Sequence, residues 1–246
     1  MFTAWHRGGS GPPLVLLHGF FDTWRVWELT LPALERERDV LALTLAGHAG
    51  GPALPAELTG DTLADAAACA MDEAGFELAQ IAGNSLGGFV ALQLAARGRA
   101  SGVVAFAPAA GWESPPDVFA LQREMHDAFK RTPYVVDRRA ATRYTTVSHE
   151  HIPAELLAHQ MRGAAATDAA RMLDYAEHAR WRVDPERIAC PVRIVWGSED
   201  RLLPWPHAAA RYRRALPHAE WIELDGVGHC PPLDVPLETA QLILGA

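Results

Sequence analysis

The chain has 246 residues, 49% of them apolar, with 22 lysines and arginines against 30 acidic residues. That length can bury a substantial core, as one large α/β domain or two smaller ones. A net charge of −8 makes nucleic acid and an anionic membrane surface poor partners.

The start, Met1 to Gly9, lacks the charged segment and apolar run of a secretion signal. No apolar stretch approaches the roughly 20 residues that span a bilayer, so a cytoplasmic protein without membrane contact is expected. Phe2 to Arg7 reads as a first edge strand, followed by a turn over residues 8–11. Leu14 to Leu17 is continuously apolar, as in a parallel strand covered on both faces, and it ends at His18-Gly19-Phe20-Phe21. Trp24 and Trp27 share one side of a short helical turn, and Pro32 divides it from a second piece capped by Thr30. Asp39 to Leu45 gives the next strand, and Thr62 to Ala74 a crossover helix stopped by Gly75.

Leu78 to Gly88 is the stretch around which the chain is organised: a buried strand, a serine, then a helix running to Arg97. At its centre Gly83-Asn84-Ser85-Leu86-Gly87 matches G-x-S-x-G, in which a serine on a tight strand-to-helix turn projects its hydroxyl out of the sheet. The pattern by itself also describes an ordinary Gly/Ser turn. A strand over Gly102 to Ala107 follows. From Trp112 to Arg187 the β-type runs vanish and helical stripes replace them, one at Val118, Leu121, Met125, Ala128 and Phe129, another at Ala169, Met172, Leu173 and Ala176. Strands return at Pro191 to Trp196 and Ala219 to Leu224, with helices near Trp205 to Leu216 and Pro236 to Leu244. The alternation predicts an α/β fold, a doubly wound, mostly parallel sheet, with a core domain of residues 1–111 and 188–246 and a helical cap of residues 112–187.

A serine needs a base to act as a nucleophile, and the base needs a carboxylate to fix its tautomer. Both have candidates in loops that follow buried strands: Glu199 and Asp200 after Trp196, and His229 after the last strand. The order Ser85, Asp200, His229 is the Ser-acid-His order of α/β-hydrolases. Glu199 remains the alternative acid. His18 is the other histidine beside the site, and it reads as a residue that bonds its own loop's backbone.

His18-Gly19-Phe20, Gly83 to Gly88, Gly197-Ser198-Glu199-Asp200 with Pro204, and Gly226-Val227-Gly228-His229-Cys230-Pro231 together make the chain resemble an α/β-hydrolase with a helical cap, over essentially its whole length. The resemblance implies an oxyanion hole formed by the backbone N–H groups of Phe20 and Leu86, with the catalytic residues Ser85, Asp200 and His229. It also implies a pocket lined by Phe20 and Leu86 and roofed by cap residues such as Met125, Phe129 and Met172. Among the cap aromatics, Trp112, Phe119, Phe129, Tyr134, Tyr144, Tyr175 and Trp181 read mainly as core.

The expected activity is hydrolysis of a small to medium, largely apolar carboxylic ester, with no cofactor and no metal. Cys69, Cys190 and Cys230 are odd in number and far apart, which fits reduced thiols, and neither CxxC nor HExxH occurs. Asn84 before the serine resembles hydrolases that cut carbon–carbon bonds in ring-fission products, which would want a cap arginine such as Arg139, Arg143 or Arg162. A third reading is a ligand sensor on the same fold.

Overall fold

The continuously apolar runs become central strands of one sheet, because a strand covered by helices on both faces has no polar face to show. The structure is a computed structural model and describes residues 1–110, 116–132, 138–178 and 182–246. Its strands are β1 (Trp5–Gly9), β2 (Pro13–Leu17), β3 (Asp39–Leu43), β4 (Ala79–Asn84), β5 (Ala100–Phe106), β6 (Val192–Gly197) and β7 (Glu220–Leu224). They lie in the order β1-β3-β2-β4-β5-β6-β7, with every neighbouring pair parallel except β1 and β3. β1 extends through residues expected to turn, because Gly8 and Gly9 continue the antiparallel ladder opposite Val40 and Asp39.

Alternate residues of each strand feed two cores. Val15, Leu17 and Ile81 face α2 (Thr62–Glu73) and α3 (Leu86–Ala96), meeting Ala64, Met71, Val90 and Leu94. Leu14, Leu16 and Ala82 face the other way, towards α1 (Leu31–Leu34) and the C-terminal helix. Side chains such as Leu16 and Ile81 are fully buried, and each contributes about 1.5–3 kcal/mol relative to exposure. Thr23 caps a 3-10 turn over Trp24–Trp27 through its side chain. Thr30 does not cap α1 in this way; its hydroxyl donates back to the Trp27 carbonyl at 2.7 Å, closing the turn before Pro32.

Between β5 and β6 the described residues form helices α4 (Pro116–Arg131), α5 (Arg138–Thr142), α6 (Ala154–Ala165) and α7 (Ala169–His178), an inserted helical cap over the sheet. Trp112, Tyr134 and Trp181, singled out in the sequence, lie outside the described residues. The stripes of α4 and α7 turn Met125, Phe129 and Leu173 onto Phe20 and Phe21 of the body, while Ala128 and Ala176 end exposed. After β6 the chain makes a 3-10 turn at His207–Ala209 and then α8 (Ala210–Ala215), α9 (Pro231–Asp234) and α10 (Pro236–Leu244). Among the described residues, no helix is long and apolar enough to cross a membrane.

One buried carboxylate joins the cap to the body. Asp234 accepts from the backbone N–H groups of Val147 (2.9 Å) and Ser148 (2.7 Å) in the cap, and from that of Gly228 (2.7 Å) in the loop before His229. Thr145 adds a carbonyl that accepts from Cys230 N–H at 2.7 Å. Removing the carboxylate leaves the buried Gly228 N–H without a partner, at about 1–3 kcal/mol, while the N–H groups of Val147 and Ser148, on exposed residues, can turn to water. Asp234→Ala should therefore lower the unfolding free energy by about 1–3 kcal/mol in urea titrations, and Asp234→Asn, which keeps one acceptor, by less. Equal stability of Asp234→Ala and wild type would show that the attachment of the cap does not depend on this carboxylate.

Candidate active site

Ser85 sits between β4 and α3 with φ 52° and ψ −112°, in the left-handed region that costs a non-glycine residue roughly 1–3 kcal/mol. The surroundings leave it no alternative. Its N–H donates to the Phe106 carbonyl at 2.8 Å, and its carbonyl accepts from Ala109 (2.9 Å) and Phe89 (3.1 Å). The flanking glycines allow that fit: a Cβ on Gly83 would overlap the Gly87 carbonyl, and one on Gly87 would overlap the Leu17 carbonyl. Because α3 begins at Leu86, the Leu86 N–H has no intrahelical acceptor, and it finds no other among the described residues; nor does the N–H of Phe20.

Asp200 and His229 are both buried, and the ring Nδ1 meets Asp200 Oδ2 at 2.7 Å. A carboxylate only accepts, so Nδ1 carries the proton and Nε2 presents a lone pair. That Nε2 is buried without a hydrogen-bond partner. The other oxygen, Asp200 Oδ1, accepts from Leu202 N–H (2.9 Å) and Leu203 N–H (2.7 Å), which fixes the carboxylate on its own loop. Glu199 is exposed and, among the described residues, makes only a backbone bond, to the Val227 carbonyl. Asn84 ties the serine strand to the histidine loop, donating from Nδ2 to the carbonyls of His229 (2.9 Å) and Phe106 (3.2 Å).

His18 is spent on the backbone: it accepts from Leu45 N–H at Nε2 (2.9 Å), so its Nδ1 donates to the Gly19 carbonyl (2.7 Å). Burial first, and neighbouring His48 next, hold its pKa well below the usual histidine value, which keeps the ring neutral. Among the described residues, no group of three His, Cys, Asp or Glu side chains is placed to hold a metal.

Two cavities meet at Ser85. The larger, about 560 Å³, is lined on the body side by Leu54, Leu58, Leu63, Leu86 and Phe89 and on the cap side by Phe119 and Met172. The smaller, about 90 Å³, holds His229, Asp22, Met125, Phe129 and Gln160. Phe20, Ser85 and Gln122 line both. Met172 thus falls in one chamber and Met125 and Phe129 in the other, while Arg139, Arg143 and Arg162 line neither.

Sequence reasoning missed Asp22, Gln122, Gln160 and Asp234. Asp22 had a signal, a carboxylate two residues beyond Phe20; the others are polar residues of amphipathic helices whose facing only packing decides. Asp22 accepts from Gln160 Nε2 at 3.0 Å, and its half-buried carboxyl opens onto the small cavity. Burial pushes its carboxyl up to about 7, opposed by the Gln160 bond and by His229.

Known proteins align with this chain along most of its length. The profile of the Alpha/beta hydrolase family matches residues 14–242. An epoxide hydrolase of Mycobacterium tuberculosis, EphH, is 30% identical over 197 residues, 74% of this chain and 91% of its own. A pimeloyl-[acyl-carrier protein] methyl ester esterase of Aromatoleum aromaticum is 30% identical over 251 residues, covering 94% of this chain and 96% of that protein. Among solved structures, a thermophilic esterase from Thermogutta terrifontis superposes with a TM-score of 0.76 at 21% identity, over 98% of this chain and 91% of that one, which is a likeness of fold.

The Asp22 carboxyl yields a pH test. With its folded pKa raised from 3.8 to about 7, the folded state holds a proton that the unfolded chain has released across that window, so this group's contribution makes stability fall as pH rises through it. Asp22→Asn removes the contribution; His229 and Cys230, the titratable groups facing it, are common to both proteins. Melting temperatures taken from pH 4 to pH 8 should shift progressively in favour of the Asn variant up to about pH 7 and then level off. A difference independent of pH would mean that the carboxyl titrates as if exposed.

Proposed function

Because the chain belongs to the alpha/beta hydrolase family, we propose that it is a serine hydrolase of carboxylic esters, working through an acyl-enzyme. The observation that carries the reading is the buried Asp200–His229 pair, whose unpartnered Nε2 shares a cavity with the strained Ser85. In this reading Ser85 Oγ attacks the ester carbonyl carbon while His229 Nε2 takes its proton. The carbonyl oxygen becomes an oxyanion held by the N–H groups of Phe20 and Leu86. The carbon–oxygen bond to the alcohol then breaks, the proton passes from Nε2 to the departing oxygen, and water repeats the sequence to free the acid and restore Ser85. Asp200 orients the ring and stabilises the imidazolium.

The two cavities divide the substrate. His229 must face the leaving oxygen, and it lines the small cavity and not the large one, so the alcohol belongs in the small cavity. The acyl chain then occupies the apolar chamber between Leu54, Leu63, Phe89 and Met172. A volume of about 560 Å³ suits a medium-length acyl group. The similarity to an esterase over nearly the whole chain supports the same bond type.

Ser85→Ala should abolish labelling by a fluorophosphonate and lower aryl-ester turnover towards the residual that an oxyanion hole alone supports, and Asp200→Asn should reduce kcat by about 10³- to 10⁴-fold. Undiminished hydrolysis by purified Ser85→Ala would refute the mechanism.

Chamber assignment is tested separately. Across esters of increasing acyl length, Met172→Ala should shift kcat/KM towards longer chains by up to about 10- to 200-fold, whereas Met125→Ala and Phe129→Ala should leave the acyl-length profile in place. The opposite pattern would put the acyl group in the small cavity.

A further inference from the structure

The geometry points to Asp22 as the residue that selects the alcohol half of the substrate: the small cavity takes a short alcohol bearing a second hydroxyl, which donates to the Asp22 carboxylate. This rests on the ester-hydrolase reading of the site and adds the class of leaving group to it.

Only one of the Asp22 oxygens is engaged among the described residues, by Gln160 Nε2 at 3.0 Å. One neutral hydrogen bond does not compensate for taking a carboxylate out of water. If the residue served only to fasten α6 to the loop after β2, an asparagine or serine would hold Gln160 without that penalty. Its raised ionisation is the mark of that imbalance.

Position comes next. Asp22 lies on the loop that carries Phe20, with its N–H on the Gly19 carbonyl at 3.3 Å, so its place relative to Ser85 is set by the same segment that would hold the oxyanion. Phe21, between them, is buried at φ 72° and packs against Phe20, His126 and Phe129, which leaves the loop little freedom. Around Asp22 the cavity walls are mostly apolar: Met125, Phe129, Leu157, Met161 and Leu233. The nearby hydroxyls of Thr142 and Thr145 donate to the carbonyls of Arg138 (3.0 Å) and Thr142 (3.3 Å), so they do not satisfy the carboxylate.

Size completes the case. A space of about 90 Å³ admits only a few heavy atoms beyond the ester oxygen. Within it, a substrate hydroxyl on the alcohol finds an acceptor with an unused lone pair on the same cavity wall as His229. A purely alkyl alcohol of the same length leaves the carboxylate unpaired, and sites built around a buried polar group discriminate strongly against analogues that leave it so.

The test, run at about pH 8 where the Asp22 carboxyl is largely ionised, compares two esters of one acyl chain that differ in a single group, the 2-hydroxyethyl and the n-propyl ester. Wild-type kcat/KM should favour the hydroxyethyl ester by about 10- to 100-fold. In Asp22→Asn, which keeps an acceptor for Gln160, and in Asp22→Leu, the ratio should fall to near one. Fluorophosphonate labelling of Ser85 and the melting temperature identify properly folded variant. Using a ratio within each variant cancels any common loss of activity. A wild-type ratio near one, a ratio unchanged in a folded and labelled Asp22 variant, or labelled wild type that turns over neither ester overturns the role of Asp22 and leaves the hydrolase reading standing. Wild type that is neither labelled nor active on any ester overturns both.

Discussion

Everything at this site depends on holding one residue in a backbone conformation it would not choose. Ser85 has both its N–H and its carbonyl engaged, on Phe106 and on Ala109 with Phe89, and the chain on either side is so close that Gly83 and Gly87 have no room for a Cβ. The parallel sheet supplies that crowding. β4 lies between β2 and β5, so the Leu17 carbonyl presses on one side of the turn and Phe106 on the other. A strained residue of this kind persists only where its neighbours over-determine it, and here the neighbours are the middle of the core.

The sequence made the sheet and the three chemical loops readable because each depended on local pattern. Continuous apolar runs marked strands buried on both faces, and G-x-S-x-G at the end of one of them marked the turn. Asp200 and Glu199 were inseparable on spacing alone. They separate in three dimensions because the N–H groups of Leu202 and Leu203 draw Asp200 inward while Glu199 faces water. The same limit applied to the cap. An amphipathic stripe tells that Met125, Phe129 and Met172 face inward but not which of two cavities they meet, since that depends on how α4 and α7 cross the body. Nor could the spacing of Asn84 reveal that its amide is occupied by two carbonyls, a bracing task that any bond-cleaving chemistry at Ser85 would use.

The division of the interior into unequal chambers also follows from packing. Phe20 stands at the junction with Phe21 behind it, and α4 sends Gln122 to the seam and Met125 with Phe129 to the narrow side. Met125 and Phe129 are one helical turn apart, so they share a face and close the same wall. The wide side takes its walls from the segment around Leu54 and Leu58, α2, α3 and α7, with Phe119 of α4 and Arg211 of α8.

The cap is fastened unequally along its rim. Near the histidine, the buried Asp234 gathers three backbone N–H groups, that of Gly228 in the interior and those of Val147 and Ser148 at the cap surface. Across the wide chamber, an exposed Arg171 reaches the carbonyls of Pro55 and Ala56, where water competes for every bond. On the histidine side the cap and the loop before His229 share one carboxylate, so the position of the imidazole is set jointly by the body and by the layer above it.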